Sequence, residues 1–172
     1  MIRARSPLRC SRAAAAAEMA LVTPLLLIII MGSVEVGNYF YNEHILTKAV
    51  RDGARYAARQ SYSYYGTSAS CASPSDATMI ANVKTLIMTS LLSGGTNRLA
   101  LWNASTITVS ASCQAAAGGQ NMTGIYTGRT AGAPVVTVNA SVPYVPIIGA
   151  ALGMSWTGLN LNASQQAAVS GI

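Results

Sequence analysis

The sequence predicts an α+β fold in which a long N-terminal transmembrane helix is followed by a small domain, with a second helix packed on an antiparallel sheet. Three observations predict it. The run from Ala13 to Val34 holds a single charged residue, Glu18. Apolar positions at three- and four-residue steps continue past that run to Ala57, a helical period. Further along, three stretches alternate apolar and polar residues with period two, as half-buried strands do.

Charge is scarce and unevenly placed. Hydrophobic residues make up 51% of the 172 and charged ones 9%, against about 25% charged in ordinary soluble domains. Beyond Gln60 the charged residues are Asp76, Lys84, Arg98 and Arg129. The net charge of +6 comes mostly from Arg3, Arg5, Arg9 and Arg12, four of the eleven Lys/Arg, all ahead of the apolar run. A nucleic-acid partner would call for a basic patch on a folded surface. These arginines read instead as the cytoplasmic flank of a membrane segment.

The elements follow in order. Ala13 to Val34 would extend roughly 33 Å as a helix, enough to cross a bilayer core. An ordinary signal peptide would be cut after its apolar core at a small-x-small site, and the exit "IIIMGSVEVGNYF" shows no A-x-A pattern. A plain signal anchor has no use for Glu18, because a lone carboxylate at that depth costs a few kcal/mol without a partner. Pro24 removes one helical hydrogen bond and favours a bend. Past the span, Val36, Tyr39, Phe40, Leu46, Val50, Gly53 and Ala57 keep the helical spacing, and Gly37 and Gly53 allow close approach of neighbouring backbones. A helix continuous to Gln60 would be about 70 Å long. On another face, Arg51, Arg55 and Arg59 recur at four-residue steps, either as a solvated face or as an edge contacting a subunit or lipid phosphates. His44, the one histidine, has no Cys, Asp or His neighbours at metal-ligand spacing.

The basic leader, small residues, Glu18, the apolar run with Pro24, and then "GNYFYNEHILTKAVRDGARYAA" resemble the TadE-like minor pilins (pseudopilins) of the tight-adherence, type IVc pilus system. The resemblance covers Arg12 to Arg59, with "AVRDGARYAA" its most specific part, and fades over the remaining two-thirds. It implies a leader removed by a prepilin peptidase on the cytoplasmic side, with the glutamate fifth in the mature chain. Counting back from Glu18 puts the cut between Ala13 and Ala14, where Ala13 replaces the family's usual Gly. In related filaments the glutamate pairs with a neighbour's new N-terminal amine, which offsets part of its burial penalty and disfavours docking out of register. A helix-start carboxylate favoured by the macrodipole is the alternative reading of Glu18. The resemblance also implies a single-pass protein of the bacterial inner membrane, with its N-terminus in the cytoplasm. Its partners would be the prepilin peptidase, other minor pilins, the major pilin, the inner-membrane assembly platform and membrane lipid, with no nucleic acid.

Residues 61–172 form the exported part, after a leader at 1–13 and a pilin-like helix at 14–60. "SYSYYGTSASCASPSD" is a turn-rich connector whose Tyr62, Tyr64 and Tyr65 can cover the domain's edge. Ser73, Pro74 and Asp76 mark a helix start, and Ile80, Val83, Ile87 and Leu91 form its apolar stripe up to Gly94–Gly95. Strands are predicted around Ile107, Val109 and Ala111, around Val136, Val138, Ala140 and Val142, and around Leu159, Leu161 and Ala163. Gln114 to Pro134 reads as a long exposed loop. "VPYVPIIGAALGM" is either a connection buried under the sheet or a patch that meets the membrane or another pilus component. Cys71 and Cys113 are either bridged, which would stabilise an exported domain by roughly 4 kcal/mol, or two unrelated thiols.

The chain carries no P-loop, nucleophile elbow, CxxC or H-E-x-x-H, and its distal part has one carboxylate and no histidine. General acid–base chemistry needs more than that, so neither an enzyme nor a cofactor or metal is expected. The function expected is structural, in assembly of the fibre, with an adhesive role for the distal domain. The alternative is a membrane-anchored exported binding protein for a glycan or surface ligand that never enters a filament.

Overall fold

The computed structural model describes residues 11–172 except 117, 119, 120, 152, 154–157 and 172, with side chains from Ala14 onward. The basic leader, Leu152 and Met154 thus lie outside the described residues. Helix α1 runs from Ser11 to Ala58, 48 residues with Pro24 inside, and at 1.5 Å per residue is about 72 Å long. Its first half stands free: every residue from Ala14 to Val34 is exposed. Its second half is the spine of the distal domain.

That second half buries Leu46, Ala49, Val50, Gly53, Ala54, Ala57 and Ala58. Most of these are small, so the neighbouring elements approach the α1 backbone closely. Val36 and Phe40, part of the same predicted stripe, are 55% and 59% exposed. Gly37 faces open space, whereas a Cβ on Gly53 would collide with Ile87 of the second helix.

That second helix, α2, spans Ala77–Thr89. Asp76 is its N-cap, and the Asp76 carboxylate accepts the Met79 N–H at 2.6 Å, satisfying one of the donors that a helix start leaves unpaired. The Ser73–Pro74 pair predicted at the helix start lies outside it. Ser73 Oγ accepts the Ala111 N–H instead, at 3.1 Å, and Pro74 is buried. Met79, Val83 and Ile87 form the buried stripe. Leu91, predicted to continue it, is 52% exposed. The helix ends earlier, as Ser90 turns to a left-handed φ of 70° and gives its N–H to Leu86.

The sheet has three antiparallel strands in the order β1 (Ile107–Gln114), β2 (Ala133–Pro143) and β3 (Asn160–Ala168). Central β2 pairs Val138 with Val109 on one side and Gln165 on the other. Val136, Val138, Ala140 and Val142 all turn inward and are buried, the alternation expected of a sheet with one covered face. α1 packs against β2, β3 and α2. Leu159, predicted within the third strand, precedes it and is 41% exposed.

The connector and the β1–β2 loop close the far end. Tyr65 is fully buried and donates its hydroxyl to the Ala57 carbonyl at 2.5 Å, while Ser170 donates its N–H to Ala58 at 2.8 Å. Two carbonyls at the end of α1 are thereby satisfied. Cys71 is joined to Cys113 by a disulfide, tying the connector to β1. Most described residues of the loop between β1 and β2 are exposed. It is nonetheless tethered, by Tyr126 Oη donating to Val169 and by Arg129 donating to Thr67, each at 2.9 Å. The Arg129 guanidinium also sits 5.0 Å above the Tyr62 ring.

Candidate functional site: the apolar helix and its docking joint

The functional surface begins with the free half of α1. Leu21 is 81% exposed and Ile28 69%, and the stretch is long and apolar enough to cross a membrane. Burying one such side chain is worth about 1.5–3 kcal/mol, so the segment demands an apolar surrounding that its own chain does not provide. Glu18 lies exposed within it. Among the described residues the one ion pair is Asp52 with Arg98, at 4.0 Å. The Ala13–Ala14 peptide lies within α1.

Arg51, Arg55 and Arg59 are all exposed along one side of α1. Asp52, adjacent in sequence, faces Arg98, midway along the α2–β1 connection. His44 is exposed on the same helix. Among the described residues, no three His, Cys, Asp or Glu side chains come together as a metal site.

Sequence reasoning passed over the residue that joins the two halves, Glu35. Pro143 ends β2 and Pro146 follows three residues on. Neither has an N–H to continue a ladder, so the chain leaves the sheet there. Tyr144 between them gives its N–H to Leu159 at 2.9 Å and packs edge-on to Tyr39 of α1, with 5.3 Å between ring centroids. The short helix α3 (Ile147–Ala151) comes next. Glu35, immediately after the apolar run, accepts the Tyr144 hydroxyl at 2.5 Å and the N–H groups of Ile148 and Ile147 at 2.9 and 3.3 Å. Asn38, one turn along α1, donates to the same Tyr144 hydroxyl at 2.8 Å.

These contacts set the protonation chemistry of the joint. The Tyr144 hydroxyl, helped by the two backbone N–H groups, holds the Glu35 carboxyl below its usual value despite partial burial. Burial, and then the hydrogen bond to Glu35, push the Tyr144 phenol up to about 12. The pair is thus an ionised carboxylate bound by a neutral phenol. A sequence signal for it exists, since Glu35 is the first charge after the span and no charged residue follows Arg129. Its partner, however, lies 109 residues away. Beside the joint is a cleft of about 520 Å³ whose walls include Ile28, Met31, Val36, Tyr144, Ile148 and Leu159.

One helix long and apolar enough to span a membrane, with a small α+β domain built on its far half, defines the class of this protein. Residues 13–55 match the family model described as TadE-like protein, a similarity confined to α1. No curated protein and no solved structure matches it.

Proposed function

We propose that this chain is a minor pilin, or pseudopilin, of a tight-adherence, type IVc pilus, with a structural rather than catalytic role. The observation that carries the reading is an overlap of two stretches. The TadE-like match covers residues 13–55, and within it lies the fully exposed apolar stretch with Glu18 near its start. A prepilin peptidase cuts between Ala13 and Ala14, leaving Glu18 fifth in the mature chain. α1 holds the subunit in the inner membrane with the arginine-rich leader in the cytoplasm and the distal domain outside. On assembly, Glu18 pairs with a neighbour's N-terminal amine, and the exposed face of α1 exchanges lipid for other minor pilins and the major pilin. The inner-membrane platform drives that exchange. Arg51, Arg55 and Arg59 supply a lateral contact, and the distal domain is presented for attachment.

The test is the intact mass and N-terminal sequence of the protein recovered from membranes, with and without the prepilin peptidase. A chain beginning at Ala14 only when the peptidase is present supports the proposal. An uncut chain, or a start near Val36, overturns it.

A further inference from the structure

We propose that the exposed ridge of α1 from Tyr41 to Arg59 docks the acidic face of a different protein subunit, and neither a second copy of this chain nor lipid. The inference rests on the reading of this chain as a pilus subunit and names the chemistry of its lateral partner. Tyr41, His44, Lys48, Arg51, Arg55 and Arg59 follow one another at three- and four-residue steps and are all exposed, so they form a single ridge. Of the eleven Lys/Arg, four precede the apolar run and four more lie on this ridge. Lys48 to Arg59 spans about 17 Å of helix. Like charges at four-residue steps, as at Arg51, Arg55 and Arg59, destabilise a helix. The macrodipole offsets that for Arg55 and Arg59 at the end of α1. It fades within one turn and gives no support to Lys48 and Arg51.

The chain's own chemistry selects the partner. Two such ridges brought together repel, and a second copy has little else to offer. Of its five Asp/Glu, Asp52 pairs with Arg98, Asp76 caps α2, Glu35 binds Tyr144, and Glu18 lies in the apolar stretch. Glu43 remains, one carboxylate against four cations. Lipid phosphates are out of reach. Past a span ending at Val34, Lys48 stands about 21 Å farther along the helix. The headgroup layer is only about 5–8 Å deep, and its charge is screened beyond about 8 Å. The groove beside the ridge fits a protein surface. It holds about 540 Å³ between Tyr41, His44, Ile45, Lys48, Arg51 and Arg55, and Asp52, which also borders it, is the residue paired with Arg98. The Tyr41 ring and apolar Ile45 stand there among cations. Their complement is a strip of apolar and carboxylate side chains, which a protein carries and an acidic polysaccharide lacks.

The experiment uses the full chain in cells that assemble the pilus, with the photo-cross-linker p-benzoylphenylalanine in place of Tyr41, which is 66% exposed at the start of the ridge. Adducts formed on irradiation are identified by mass spectrometry of the cross-linked peptide, and the N-terminus of the chain is read from the same samples. Expected is an adduct with a peptide of another protein that carries Asp or Glu at three- or four-residue steps. Arg51→Glu with Arg55→Glu should lower its yield about tenfold or more. Changing those partner acids to Lys should restore it, which a misfolded variant would not allow. Failure of that rescue, or a yield indifferent to the charge reversal, overturns the inference. An adduct with a second copy, with lipid or with polysaccharide overturns it equally, and so does the absence of any adduct. If the chain still begins at Ala14, each of those results leaves the pilin reading standing. An uncut chain removes that reading and the inference with it.

Discussion

Gly53→Ala probes the closest approach in the fold. A Cβ at Gly53 falls well inside van der Waals contact of Ile87 Cγ1 and 2.5 Å from its Cδ1. Ile87 is fully buried and cannot swing into solvent. Overpacking of this kind costs about 1–3 kcal/mol. Against it stands the helix preference for Ala over Gly, about 1 kcal/mol. The single variant is therefore destabilised by up to about 2 kcal/mol, the difference of those terms. Ile87→Ala alone should cost about 2–5 kcal/mol through the cavity it leaves. In that background the collision is gone, and Gly53→Ala should stabilise by about 1 kcal/mol. The sign of one substitution thus reverses with the partner, a coupling of about 1–3 kcal/mol. Denaturant unfolding of the full chain in detergent micelles, followed by the fluorescence of buried Trp102, measures all four corners of the cycle. Stabilisation by Gly53→Ala in both backgrounds would refute close packing of α1 on α2.

Three further outcomes are expected. Reducing the Cys71–Cys113 disulfide, which spans a sequence separation of 42, should lower the stability of the distal domain by about 4 kcal/mol by the chain-entropy relation, read as the shift in unfolding midpoint with and without reductant. The Glu35 carboxyl is held below its usual value by Tyr144 and the α3 N–H groups, so the joint's stability is fully present above the ordinary carboxylate range and lost as pH falls through the lower folded value. Protection of the Ile147 and Ile148 amides from hydrogen exchange should accordingly be flat near neutrality and fall once the pH drops below the ordinary carboxylate range, and Glu35→Gln should remove the acid step. Glu18→Ala should leave membrane insertion intact and reduce pilus number on cells, seen by electron microscopy; normal piliation would count against the assembly role.

Local pattern carried much of this fold. The 3.6-residue period of α1, its uncharged first half, and the alternation along β1 and β2 are each written within one segment, and local physics suffices to read them. Errors arose where local signals competed. Ser73 and Pro74 look like a helix start, but Ser73 is engaged by β1, and Asp76 caps α2 instead. Leu91 keeps the spacing of the α2 stripe but follows a helix that has already turned left-handed at Ser90. Leu159 keeps the alternation of β3 but precedes the strand and borders the cleft.

By itself the sequence determined that one apolar helix carries Glu18 at a defined distance from a basic leader, and that a nearly uncharged α+β domain follows. These are properties of composition and period, set by neighbours in the chain. Only the tertiary structure decided how that domain is held on the helix. It placed Tyr144 on Glu35, Ile87 against Gly53 and Ser170 on the end of α1. Each contact joins residues far apart in the chain, and neither partner's local pattern specifies the other. Their meeting depends on the sheet register and on how closely the small residues of α1 let the other elements approach.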